Sequence, residues 1–417
     1  MNYTRFLSKV SQLREPSPIR YLIANTKNMY RLAGGLPNPD SFPVKGITLH
    51  LNDNTDVKFE ASDMLYALQY SNTEGIRPMV EWIMEHQRRK HIINHDNWDV
   101  VVTTGSQDAL SKAFEMLIDA GQGDVVLVEN PSYTGALAAL HPLQPKLLTI
   151  PIDGDGIIPE QLEIVLKNHF SDKNPKPIKF LYTIPTGQNP SGATLTVQRK
   201  KQIYKLAQQY NFLILEDDPY FYLNLEESGD NDSMTTFLSM DVDGRVLRFD
   251  SLSKVLSSGL RIGWLTAHKT LIDRIHLHMQ TSSLHTSGLS QKVASKLLSK
   301  VWGQEGFDNH VRTVRKLYRG RRDEFLGYVD KHLGEHVSYN KPKAGMFVWL
   351  KFNHIPDAKQ FIEERTREKR VLLVPGQAFD PHYKPSPYAR ASYSVESSEN
   401  MEAACKALGS LCEEYKK

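Results

Sequence analysis

The chain has 417 residues, 40% of them hydrophobic and 24% charged, with a net charge of +3. That length reads as two domains or one large α/β unit and is ample to bury a core. The near-neutral balance leaves no electrostatic footprint for nucleic acid or an anionic membrane, and no apolar run reaches the roughly eighteen residues of a spanning helix. The two cysteines, Cys405 and Cys412, fall seven positions apart in a helical pattern, too far for a mutual disulfide. A reducing compartment follows.

Residues 1–14 carry Arg5, Lys9 and Arg14, several serines and no acid. Two readings stand: a mitochondrial transit peptide, or a basic amphipathic first helix of the mature protein. The segment RLAGGLPNPDSFP near residue 35 is rich in Gly and Pro and reads as a loop or linker. HQRRKHIINH (86–95) looks metal-like, but it sits on an amphipathic helix and its exit and reads as a solvated face.

Strand-like runs then alternate with helical patterns. DVVVTTG (99–105) leads into SQDALSKAFEML, and DVVLVENP (124–131) into SYTGALAAL. KFLYTIP (179–185) precedes a helix over 196–210; FLILEDDPY (212–220) and RVLRFDS (245–251) follow. RIGWLTA (261–267) reads as an antiparallel edge strand. Short apolar strands with crossover helices imply an α/β fold with a mostly parallel sheet, whose ligands sit beyond the strands' carboxyl ends. Ser106, Tyr133, Asn189, Asp217 and Ser251 all fall at such ends. The last third changes character. A long basic and apolar helix over 309–332 is followed by VSYN, GMFVWLKF, a helix near 359–369, VLLVPG, YARASYS and a terminal helix. That is a smaller α+β domain.

The chemistry begins at FDSLSKVLSSGLRIGW (249–264). Lys254 follows a strand among small hydroxyls, where desolvation favours the neutral, nucleophilic amine. Such an amine suits a Schiff base with an aldehyde cofactor. Ser251 to Lys254 also fits S-x-x-K, the acyl-enzyme signature, but the Ser-Asp-Asn and Lys-Thr-Gly elements that accompany it are missing. LEDDPY places Glu216, Asp217, Asp218 and Tyr220 at a strand end. A carboxylate buried there needs a cation, and a protonated pyridine nitrogen is one. The bland alternative is a metal site or a solvated strand end; a metal would want histidines nearby, so none is expected. Gly105, Ser106 and Gln107 form a strand-to-helix turn whose free N–H groups suit a phosphate, although Ser106 alone could be an N-cap. Ser251, Ser253 and Arg261 would share that anion. Asn189 in IPTGQNPSG (184–192) either forms an Asx-turn or meets a ligand. Arg390 in SPYARASYS needs an anion: a bidentate substrate carboxylate or a structural ion pair.

Taken together, NPSG at 189–192, Asp217 with Tyr220, the Ser251, Ser253, Lys254 and Arg261 cluster and the late Arg390 resemble the class I aminotransferases of fold type I, which use pyridoxal 5'-phosphate (PLP). The match spans essentially the whole chain. MNYTRF, PSPIR, LAGGLPNPDSFP, LQYSNTEGI, FLSMDVDGRV and SSGLRIG look closer still to the animal kynurenine/2-aminoadipate branch. Ser191 stands where threonine is common, with little effect expected, and the stretch 223–236 is compressed.

The resemblance implies a large domain with a mostly parallel seven-stranded sheet between helices, over 46–305. It also implies an N-terminal segment with a helix and mobile loop over 1–45 and a small α+β domain over 306–417. Lys254 would hold PLP covalently and act as general acid/base, with Asp217 on the ring nitrogen. Tyr220 and Asn189 would bond the phenolic oxygen, and Tyr133 would stack on the ring. Ser106, Gln107, Ser251, Ser253 and Arg261 would hold the phosphate, with Tyr70 from a second copy of a homodimer. Arg390 and Asn189 would bind the substrate's α-carboxylate. Gly35, Leu36 and Tyr133 would line its pocket, and Arg20 would meet a distal carboxylate. The reaction implied is ping-pong transfer of an amino group from kynurenine, 2-aminoadipate or related amino acids to 2-oxoglutarate. The alternatives are a broad aromatic aminotransferase or a β-lyase on the same fold. A regulator carrying such a domain would need an appended helix-turn-helix, for which no spare segment is seen. The expected compartment is the mitochondrial matrix, or else the cytoplasm.

Overall fold

A computed structural model describes residues 1–18, 32, 35–93, 95–226 and 235–416. Arg20 and most of the compressed stretch, 227–234, lie outside them. The strands in chain order are β1 (Ile47–His50), β2 (Asp56–Phe59), β3 (Trp98–Thr103), β4 (Val125–Asn130), β5 (Lys146–Asp153), β6 (Gly156–Ile157), β7 (Ile178–Thr183), β8 (Leu213–Asp217), β9 (Val246–Ser251), β10 (Gly263–His268), β11 (Val337–Ser338), β12 (Phe347–Phe352), β13 (Val374–Pro375) and β14 (Tyr388–Ser392). The chain forms two compact units. One comprises Met1–Asp119 and Asp241–His310, the other Ala120–Met240 and Val311–Lys417.

In the first unit, β1 and β2 pair as an antiparallel hairpin. Val57 and Phe59, two apart on β2 and so on one face, bury with Met64 of helix Ala61–Leu68. β10 lies between β3 and β9 and is antiparallel to both. The expectation of an edge strand at 261–267 is thus corrected. The strand is antiparallel but paired on both sides, and Trp264, Leu265 and Thr266 are all buried. The N-terminal segment packs down as well. Tyr3 and Phe6 are buried, and the Tyr3 hydroxyl donates to the Gly244 carbonyl at 2.8 Å.

The reading of 86–95 as a solvated face also needs correction. Helix Arg77–His91 buries His86, Gln87 and His91 completely. His86 stacks on Trp82 with centroids 4.7 Å apart, and burial pulls its pKa down to about 3. It is therefore a neutral core residue. Arg89 and Lys90 supply the charged face, pairing with Asp308 at 2.6 and 3.0 Å.

Gln87 has a second consequence. Arg248 and Asp250, two apart on β9, form an ion pair at 2.8 Å with neither side chain exposed. Gln87 donates to Asp250 at 3.1 Å and to Thr266 at 2.7 Å. Removing one partner of a buried pair strands the other charge and typically costs about 3–5 kcal/mol. Asp250→Ala should therefore lower the unfolding free energy by about that amount in equilibrium urea titration. A loss below about 1 kcal/mol would contradict the buried pair.

In the second unit, β4 pairs in parallel with β5 and β7, and β7 in parallel with β8. β4, β7 and β8 are buried along almost their whole length, which is why they read as largely apolar runs. β5 is partly exposed and contains Pro151, so its sequence carries no clean strand signal. The two-residue β6 lies antiparallel on β5. Leaving aside the β1–β2 hairpin and the small sheet, the strands among the described residues number eight, the one beyond the expected seven being this short β6. The small sheet has the order β11-β12-β14-β13, antiparallel throughout. On β14 the alternation buries Ala389 and Ala391 on one face and puts Arg390 on the other. Helices Gly303–His332 and Ser398–Lys416 complete the last third. Cys405 and Cys412 are buried free thiols, with pKa values pushed up by burial to about 12.

Candidate active-site residues

Within the first unit, β3 runs into helix Ser106–Leu117 through Gly105, which has φ +78°. Glycine alone takes that conformation without strain. Among the described residues no side chain caps the helix start, so the N–H groups at Ser106 and Gln107 sit at its positive pole. Gly263 on β10 makes the close approach possible. A Cβ there would stand 2.6 Å from the Ser106 nitrogen. Arg261, itself at φ +53°, lies over the same turn, where a Cβ on Gly105 would strike its guanidinium. Its Nη2 donates to the Thr104 carbonyl at 3.3 Å, and its Nη1 reaches the Ser253 hydroxyl at 3.5 Å. Ser251 is buried at the end of β9, and its Oγ accepts the Ser253 N–H at 3.1 Å. Lys254 follows in the turn, half-buried. A helix start, a guanidinium and two serines thus converge as an anion cradle, and a phosphate monoester fits it. Tyr70 is 55% exposed, and Gly35 and Leu36 are exposed on the loop before β1.

Within the second unit, Asp217 ends β8 and is buried. The Tyr182 hydroxyl, from β7, donates to its Oδ2 at 2.8 Å. Burial, then the charge of Asp217, hold the Tyr182 phenol well above its usual range, so it stays a donor. Tyr220, one turn further on, is also buried. Desolvation and then Asp217 raise its pKa, while a hydrogen bond with Asn189 acts the other way. Asn189 accepts from Arg390 Nη1 at 2.8 Å. The Arg390 guanidinium carbon lies 4.2 Å from the Phe347 ring centroid and 5.2 Å from that of Phe379. Burial depresses its pKa, and among the described residues no carboxylate pairs with it. Tyr133 opens helix Thr134–Leu140, its ring turned back over Gly135, where a Cβ would come within 2.5 Å.

The positions singled out in the sequence therefore gather into two groups, one per unit: Ser251, Ser253 and Arg261 with Ser106 and Gln107, and Asn189, Asp217, Tyr220 and Arg390 with Tyr133. Arg20 lies outside the described residues. Sequence reasoning missed Tyr182, Phe347 and Phe379. A lone tyrosine in the apolar KFLYTIP must find a partner for its hydroxyl, which is a usable signal. The phenylalanines give none, since aromatic residues in apolar runs are ordinary core.

The family profile "Aminotransferase class I and II" matches residues 41–408. The site and this match define a pyridoxal-phosphate enzyme of fold type I. More narrowly, the chain belongs to the class I and II aminotransferases. It is 44% identical to the rat "Kynurenine/alpha-aminoadipate aminotransferase, mitochondrial", covering 99% of both chains. Among solved structures, the aminotransferase Aro8 of Candida albicans superposes with a TM-score of 0.88 at 30% identity, covering 100% of this chain and 99% of that one. A Pyrococcus horikoshii kynurenine aminotransferase, described in complex with PMP, KYN as substrates and KYA as products, gives a TM-score of 0.79 at 31% identity, with coverage of 100% and 99%.

Proposed function

We propose that this aminotransferase moves the amino group of L-kynurenine, L-2-aminoadipate and related amino acids to 2-oxoglutarate. The observation that carries the reading is Arg390. A half-buried guanidinium is held by one neutral amide and two aromatic faces, with no carboxylate beside it among the described residues. An arginine so placed awaits a ligand's carboxylate, and its fork takes one in bidentate fashion. The names of similar proteins narrow the donor to kynurenine and 2-aminoadipate.

PLP, when bound, supplies an electron sink for the charge left on an amino acid's Cα after proton loss. Lys254 would hold the cofactor and would serve as general acid/base at Cα. Asp217, oriented by Tyr182, would hold the proton on the ring nitrogen. Tyr220, kept protonated by burial, and Asn189 would act at the phenolic oxygen, and Tyr133 would lie against the ring. Ser106, Gln107, Ser251, Ser253 and Arg261 bind the phosphate. Gly35 and Leu36 would border the substrate. In this reading residues 46–305 supply the cofactor groups and 306–417 supply Arg390. The protein works as a homodimer in which the exposed Tyr70 reaches the phosphate of a second copy. The similar rat protein is named mitochondrial, which supports residence in the matrix.

Aro9 of Candida albicans, described as an aromatic aminotransferase and superposing with a TM-score of 0.88 at 29% identity, favours a second reading of broad specificity for aromatic amino acids. One experiment addresses both. Initial rates are measured with 2-oxoglutarate and, in turn, kynurenine, 2-aminoadipate, phenylalanine and tyrosine. Parallel double-reciprocal lines with the first two donors are expected, as two half-reactions share one site. No transfer from either would overturn the proposal. Faster turnover of phenylalanine and tyrosine would favour the second reading.

A further inference from the structure

Glu129, at the penultimate position of β4, is 1% exposed, yet no cation pairs with it among the described residues. Its carboxylate instead collects neutral donors. Oε1 accepts the Thr183 hydroxyl at 2.6 Å. Oε2 accepts the Ile184 N–H at 3.3 Å and the Gln188 side-chain amide at 3.0 Å. Burial pushes its pKa up to about 7. An apolar side chain would fill such a place at lower cost, so the acid is useful only for what it orders.

What it orders is the loop that carries Asn189. Gln188 is also 1% exposed, and every side-chain valence is used. Its Nε2 donates to Glu129 and, at 2.8 Å, to the Pro131 carbonyl, while its Oε1 accepts the Ser191 N–H at 2.8 Å and the Ser191 hydroxyl at 2.7 Å. Its main chain is tied to Ala193 and Gly192. The next residue is Asn189, whose Oδ1 receives Arg390. The far side of the loop is fixed by contact. A Cβ on Gly187 would come within 2.7 Å of Ala344 and Gly345 backbone atoms. The loop is thus clamped between β4 and the segment before β12, with Gln188 as the pin and Glu129 as its socket.

We propose that Glu129, acting through Gln188, is the positioning residue that aims Asn189 and so orients the Arg390 guanidinium. This inference rests on the reading that Arg390 binds a carboxylate. The holoenzyme is tested as Glu129→Leu, which fills the space without acceptors. Glu129→Gln keeps an acceptor for the two N–H donors and can give its own amide hydrogen to Thr183. The readouts are KM for the amino donor, kcat, bound-cofactor absorbance, and calorimetric binding of adipate, a dicarboxylate with neither amino nor oxo group.

Glu129→Leu should weaken adipate and raise KM about tenfold, as for the loss of one buried hydrogen-bonded link. Cofactor content should be kept and kcat should change less. Glu129→Gln should stay within about threefold of the parent in both. Should the leucine variant not fold, Gln188→Met breaks the same link from the other side. Parent-like adipate binding in the disrupted variant would overturn the proposal. So would equal damage in the leucine and glutamine variants accompanied by cofactor loss, which would mark a merely structural acid. Arg390→Lys serves as the control. If it weakens adipate while the disrupted variant does not, only the Glu129 link fails. If it leaves adipate unaffected, the Arg390 reading falls and the proposal with it.

Discussion

Lys254→Ala is expected to abolish transamination, with kcat falling by roughly a thousandfold or more. Positioned proton transfer alone contributes about 10²–10⁴ in rate, and the variant also loses its covalent hold on the cofactor. The turn carrying Lys254 gives the reason no neighbour can substitute. Ser251 is buried and fixed by its bond to Ser253, and the hydroxyls there are not basic enough to take a Cα proton at neutral pH. The visible absorbance of the lysine-bound cofactor should vanish as well, and that signal does not depend on turnover. Ordinary turnover in the variant would remove Lys254 from the chemistry.

Arg390→Ala should raise KM for every amino donor, with kcat less affected. Truncating one partner of a buried, hydrogen-bonded charge pair costs about 2–5 kcal/mol, which is roughly 30- to 5,000-fold. Phe347 and Phe379 pack against the guanidinium, so part of the loss is of packing as well as of charge. Arg390→Lys should recover only part of the loss, because an ammonium cannot form the planar fork or lie flat on Phe347. Steady-state kinetics with two chemically distinct donors decides the matter. An unchanged KM for both would place Arg390 outside the substrate site.

Much of this was legible in the residues. The buried strands β4, β7 and β8 announce themselves as largely apolar runs, because strands buried on both faces are built mostly of apolar residues. Asp217 and Ser251 could be placed at strand ends for the same reason. β5 escaped notice because its half-exposed positions dilute the pattern. His86 and His91 misled because titratable residues near arginines look solvated, whereas Trp82 and the helix packing bury them. Tyr182 and Gln188 act through partners 35 and 59 positions away, Asp217 and Glu129, and no local spacing encodes such bonds.

The aromatic enclosure of Arg390 sets a limit on what can enter. A decarboxylated amine of otherwise correct shape would leave a partly desolvated cation with only the Asn189 amide as its acceptor, a penalty that extra contact elsewhere would struggle to offset. With Arg390 as the carboxylate's partner, biogenic amines should be turned away by the cost of their missing acid group, even when the remainder of the molecule is admitted freely.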